Sequence, residues 1–351
     1  MTQTNIIYAR RQEIKETVYK TLCNYQAPFI PLQIKTLARS FSNIRLISYS
    51  KHMSKMNISY NKMMQFAGTK DACTDYYTHD DLYIIYYNDI DKNITLSNRY
   101  RWNIAHELGH IMLNHHKAHK KTRIFRNELS TSEYKELENE ADYFAQLILV
   151  PHVVLYAFKI TTARQIRDFC KISGPASYNR FRDYKQWIRH INGNDIYDKP
   201  LFHYYYNFIY KKQCLTCGAH LIQQKGKYCP ICGNKTLQWG DGKMIYKIQY
   251  KLNENSRLCQ CSVCENENIS NVATYCQICG APVQNKCTSC GKLASADARY
   301  CIYCSSKTTF NSKLLQDWRS ELDEITSEKN ANYVINSFLD LPDEDDELPF
   351  N

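Results

Sequence analysis

The stretch Trp102–His116, WNIAHELGHIMLNHH, decides how this chain is read. His106 and His110 are four residues apart, so on a helix both imidazoles lie on one face, one turn apart, placed to share a metal ion. Neutral imidazole suits zinc. Glu107 follows the first histidine, rotated off that face, from where it can reach a metal-held water without binding the metal. A metal lowers the pKa of such a water, and a glutamate can take its proton as it attacks a carbonyl. The flanking Ile104, Ala105, Leu108, Ile111, Met112 and Leu113 predict a buried helix. A core histidine alone does not account for two histidines and a glutamate there, since buried ionisable groups need partners.

A hydrolytic site needs a third protein ligand and an open position. His116 has the spacing of a third histidine ligand, but a glycine is needed where this chain has Leu113, so it is discounted. His115 and His119 fit no pattern and read as surface residues. The remaining candidates lie in ELENEADYFAQLILV, a second strong helix stopped by Pro151. Glu138 and Asp142 share a face there. Glu138 is the preferred ligand, with Glu140 in reserve, and Asp142 would orient a ligand histidine through its free ring nitrogen.

Working outward, RRQEIKETVYKTLCNY shows helical spacing at Ile14, Val18 and Leu22, ended by Pro28 and Pro31. PLQIKTLARSF predicts a short helix and IRLISYS a strand. DLYIIYYND is the clearest strand. Residues 162–190 read as two helices joined at Ser173-Gly174-Pro175, and NGNDIYDKP opens a linker over 192–210.

NRYRWNIAHELGHIMLNH followed by ENEADYFAQLILVP resembles the ImmA/IrrE family of bacterial metallopeptidases, over roughly residues 1–190. The resemblance implies a zincin-like, gluzincin-type α+β fold, with His106, His110 and Glu138 as zinc ligands and Glu107 as general base. Asp142 stands where the family often has Asn or Asp, and Trp102 where it usually has Phe. The helix pair over 162–190 resembles the family's helix-turn-helix-like end segment. The best-known members act on helix-turn-helix repressors, so the resemblance implies a protein substrate of that kind.

Cysteine sets the rest of the chain apart. Of 16, only Cys23, Cys73 and Cys170 precede residue 200, and these read as small buried apolar residues. The others form six C-x-x-C doublets plus Cys259, a spare thiol or alternate ligand; chance placement would give about one doublet. They pair into three sets: Cys214, Cys217, Cys229 and Cys232; Cys261, Cys264, Cys276 and Cys279; Cys287, Cys290, Cys301 and Cys304. Each set suits one tetrahedral zinc, and such short polar segments need metal to fold. Glycine follows the doublet in CLTCGAH, CPICGNK, CQICGAP and CTSCGKL, where a tight turn wants positive φ. The second and third sets resemble a double zinc ribbon. Modules are expected at 211–240, 257–282 and 283–308, then a helix over 309–330 and an acidic, solvated tail over 331–351.

The expected architecture is therefore a metallopeptidase domain over 1–191 followed by three ribbons, holding one catalytic and three structural zinc ions. No apolar run reaches membrane-spanning length and no export signal opens the chain, so a cytoplasmic protein is expected. A net charge of +10 allows nucleic acid as a partner of the ribbons, without a clean basic patch to support it. The rival expectation is a non-catalytic zinc-ribbon regulator that binds DNA or a repressor through a zincin-like scaffold; an intact Glu107 speaks against it.

Overall fold

The computed structural model describes residues 3–25, 28–96, 98–120, 122–124, 130–191, 198–240, 250–311 and 314–315. The chain divides into two compact units, Met1–Ile209 and Tyr210–Asn351.

The first unit opens with α1 (Gln3–Asn24), whose buried stripe is Ile14, Val18 and Leu22. The short helix α2 (Ile34–Arg39) leads into strand β1 (Ile44–Ser48). Ser48 and Ser59 then cap two helices absent from the sequence reading, α3 (Tyr49–Met56) and α4 (Tyr60–Ala67). Strands β2 (Ala72–Tyr77) and β3 (Leu82–Tyr87) follow. The sheet has the order β1-β3-β2, with β1 parallel and β2 antiparallel to β3. Every residue of β3 is buried, as its continuous apolar and aromatic run leads one to expect of a central strand.

After α5 (Lys92–Leu96) comes α6 (Arg99–Met112), the helix of the opening stretch. It stops at Met112, Asn114 takes the left-handed conformation, and α7 (His115–His119) starts afresh. α8 (Thr131–Leu149) begins at a capping box, in which Ser130 and Glu133 satisfy each other's backbone N–H groups. α6 lies against both α8 and the sheet. Gly109 allows the close approach: a Cβ there would lie 3.1 Å from Ala141 Cα and 3.2 Å from Phe144 Cβ.

α9 (His152–Ala157), α10 (Ala163–Cys170) and α11 (Gly174–His190) follow, the last two joined at Ser173, whose side chain caps α11. The second part of the expected linker is helical instead. Residues 192–197 lie outside the described residues, but α12 (Asp198–Tyr204) and α13 (Tyr206–Tyr210) are helical, with Leu201, Tyr205 and Phe208 buried. Apolar side chains at helical spacing there pack into the first unit, and the Tyr204 hydroxyl donates to the Tyr25 carbonyl.

In the second unit, β4 (Lys211–Cys214), β5 (His220–Ile222) and β6 (Leu237–Trp239) form an antiparallel sheet of order β5-β4-β6 around the first cysteine set. The other two modules are made of turns and single bridges. The first module docks on the third: Pro230 O accepts from the N–H groups of Arg299 and Tyr300, and Ile302 O from that of Lys227. Nearly all of the expected 309–330 helix and the whole acidic tail lie outside the described residues.

Candidate metal centres

α6 and α8 bring His106, His110 and Glu138 together. The two Nε2 atoms are 3.1 Å apart, and Glu138 places one carboxylate oxygen 3.5 Å from His106 Nε2 and the other 3.4 Å from His110 Nε2. A tetrahedral ion bound at about 2.0–2.1 Å requires ligand–ligand edges of roughly 3.3–3.4 Å. The donor set therefore fits zinc in both chemistry and spacing.

Its electrostatics also ask for a cation. Burial opposes charge on His106, yet Asp142 and Glu138 carry its pKa up to about 10. Burial pushes His110 down to about 3, so this ring stays neutral and offers a lone pair. Burial opposes ionisation of Glu138 as well, but the two histidines hold it ionised, well below the usual carboxylate range.

Each of these two histidines is held from behind. Asp142, one turn along α8 from Glu138, meets His106 Nδ1 at 2.9 Å. His110 Nδ1 faces His115 Nδ1, also at 2.9 Å. His115 is buried at 2% exposure, which corrects the surface reading, and its Nε2 meets Glu140 at 3.0 Å. The break after Met112 turns α7 back so that this contact can form. Glu140 faces away from the three-ligand cluster, and Arg10 grips both its oxygens at 2.8 and 2.7 Å. Burial opposes ionisation of Glu140, but His115 and Arg10 bring its pKa down to about 2. His116 is buried against Tyr83 and His110, and His119 lies at the end of α7.

Glu107 lies half-buried in the wall of the cleft beside the cluster, and burial raises its pKa. The Thr74 hydroxyl donates to its Oε2 at 2.7 Å. Thr74 escaped the sequence reading because β2 did; a strand with Thr and Asp buried side by side shows no alternation to find. Its neighbour Asp75 is buried with Arg123, paired through two hydrogen bonds of 2.6 and 2.7 Å. The cleft has a volume of about 1070 Å³ and is lined among others by Asp71, Thr74, Trp102, Asn103, Tyr134 and Arg180. The Arg180 guanidinium lies 5.9 Å from the centre of the Trp102 ring.

In the second unit all three cysteine sets close into clusters. Cross-doublet Sγ–Sγ distances are 3.6 and 3.8 Å in the first, 3.6 Å for both pairs in the second, and 3.5 and 3.7 Å in the third. A tetrahedral zinc with bonds near 2.3 Å has edges of about 3.75 Å, whereas a disulfide is about 2.05 Å long. All six knuckles close through a residue with positive φ: Gly218, Gly233, Gly280 and Gly291, as their position after the doublet predicts, and also Glu265 and Ser305. Cys259 lies outside the clusters. Cys73 and Cys170 are buried as expected, but Cys23 is exposed, because it sits off the Ile14–Val18–Leu22 stripe of α1.

No curated protein matches this chain. Family models do: residues 54–173 match the IrrE N-terminal-like domain, Peptidase_M78, and residues 261–305 match the double zinc ribbon. The first match takes in α6, α8 and the whole three-ligand cluster; the second covers the second and third cysteine sets. The chain thus carries an IrrE N-terminal-like domain of the Peptidase_M78 family followed by a double zinc ribbon, with one further four-cysteine module between them.

Proposed function

We propose that this protein is a zinc-dependent endopeptidase of the cytoplasm that cuts or inactivates a helix-turn-helix repressor or a similar regulatory protein, its ribbons serving recruitment or sensing. The observation that carries the reading is the convergence of His106, His110 and Glu138 at the floor of a cleft, with Glu107 beside them but outside the ligand set.

His106 and His110 through Nε2, and Glu138 through its carboxylate, would hold the catalytic zinc. When bound, the ion supplies Lewis acidity toward the scissile carbonyl and toward water. Glu107 takes the proton from the attacking water and delivers it to the leaving nitrogen. The Thr74 hydroxyl fixes one Glu107 oxygen and leaves the other for that proton. Burial keeps the Glu107 carboxylate basic, which suits a group that must accept a proton and release it again. Asp142 holds the His106 ring in the orientation that points Nε2 at the ion. The three four-cysteine clusters would each hold a structural zinc, and unbonded thiols at metal spacing suit a reducing compartment. Among the described residues, no helix is long and apolar enough to cross a membrane.

The test compares cells producing the full chain with cells producing Glu107→Gln, by mapping new protein N-termini. A regulatory protein with a helix-turn-helix domain cleaved only by the wild type would support the reading. Identical N-termini in both, with the biological effect retained by Glu107→Gln, would overturn it.

A further inference from the structure

We propose that His115, Glu140 and Arg10 form a positioning chain for the metal centre, fixing His110 as a neutral Nε2 ligand. The inference rests on the metallopeptidase reading of His106, His110 and Glu138.

The order of the hydrogen bonds sets the tautomers. His110 turns Nε2 toward His106 and Glu138, so binding a cation there leaves its one proton on Nδ1. That nitrogen lies 2.9 Å from His115 Nδ1, which must then accept. His115 in turn carries its proton on Nε2, and that N–H donates to Glu140 Oε2 at 3.0 Å. Glu140 is locked by Arg10, whose Nε and Nη2 each donate to a different carboxylate oxygen. Reversing either bond of His115 would place two N–H groups or two lone pairs face to face.

The two ligand histidines are therefore supported unequally. His106 leans directly on Asp142, whose side chain is 49% exposed. His110 leans on a second imidazole that is 2% exposed, and only through it on a carboxylate. The neutral link keeps the supporting negative charge one residue further from the ion. It also draws α1 into the centre: Arg10 lies outside residues 54–173, the span of the family match, and is 130 residues from Glu140. His115 buried merely as a core side chain would need no partner on both ring nitrogens, and it has one on each.

The test uses the full chain with histidine labelled with nitrogen-15 and loaded with zinc. A nitrogen–nitrogen coupling across the hydrogen bond between His110 and His115, with His115 in the Nε2–H form, is the expected signature. In parallel, a chelator titration measures the affinity of the one zinc that Glu138→Ala abolishes, in wild type, His115→Phe, Glu140→Gln and Arg10→Met. His115→Phe fills the same space without nitrogens and should lower that affinity about 10–100-fold, with the three ribbon zincs retained. Arg10→Met, a half-exposed position, guards against a folding defect and should show a smaller loss in the same zinc alone. An unchanged affinity in His115→Phe and Arg10→Met, or no coupling in the wild type, would overturn the proposal and leave the metallopeptidase reading intact. If wild type and Glu138→Ala bind the same number of zinc ions, that reading itself falls, and the positioning chain with it.

Discussion

Gly109 on α6 faces Ala141 on α8 so closely that an added methyl group would sit 3.1 Å from the Ala141 Cα and from its carbonyl oxygen. Both atoms are backbone and cannot swing aside. The contact sets how near His106 and His110, on one helix, come to Glu138, on the other. Gly109→Ala gains helix propensity but must push α8 away by a few tenths of an ångström. The expected net cost is about 1–3 kcal/mol, together with weaker binding of the zinc that depends on Glu138. Denaturant unfolding of the first unit and a zinc titration would show both effects; a more stable variant with unchanged zinc affinity would contradict the packing argument.

Thr74→Val removes the hydroxyl that holds Glu107 while keeping the shape of the side chain. A general base contributes about 10²–10⁴-fold to such a reaction, and misorientation forfeits only part of that. Proteolysis should fall about tenfold, less than for Glu107→Gln, at unchanged zinc content. Loss of zinc in Thr74→Val would show that the contact does something else.

The knuckle glycines differ in what surrounds them. Gly280 has positive φ and open space, so Gly280→Ala should cost about 1 kcal/mol of backbone strain. Gly233 also has positive φ, but a Cβ there would lie 2.9 Å from the Tyr300 ring in the third module. Gly233→Ala should therefore cost more and loosen the first module from the third. Glu265→Gly, at a left-handed residue that lacks glycine, should be neutral or slightly stabilising. Denaturant midpoints of the zinc-loaded chain would rank the three.

Stripping zinc from the second unit should unfold its modules: the buried clusters around the first two cysteine sets are small and consist largely of the cysteines themselves, and the other cluster among the described residues, Leu258, Ala296, Phe310 and Leu315, is small as well. Limited proteolysis after chelation should cut first within 210–310 and spare the first unit, whose apolar core is independent of metal. Equal resistance before and after chelation would contradict a structural role for the clusters.

Much of the site was legible in sequence because its residues sit at helical or knuckle spacing. His106, His110, Glu138 and Asp142 each lie one helical turn from a partner, and Cys-x-x-Cys-Gly encodes its own turn. The central strand β3 announced itself by six apolar and aromatic residues in a row. What escaped depends on contacts distant in sequence. β2 buries Thr74 and Asp75, which are tolerable only because Glu107 and Arg123 receive them. His115 looked like a surface residue because, beside nearby His110, its partner is Glu140 on another helix and, through it, Arg10 in the first turns of the chain. The helices over 198–210 hid behind Asp, Pro and Tyr in a stretch that reads as linker, although Leu201, Tyr205 and Phe208 are buried there.

Bound zinc per chain, in wild type and in Glu138→Ala, tests the central claim most directly. Among the described residues, four clusters of side chains able to hold a metal ion predict four ions in the wild type and three in the variant. Three ions in both would mean that only the cysteine clusters bind metal, and the catalytic reading of His106, Glu107 and His110 would fail.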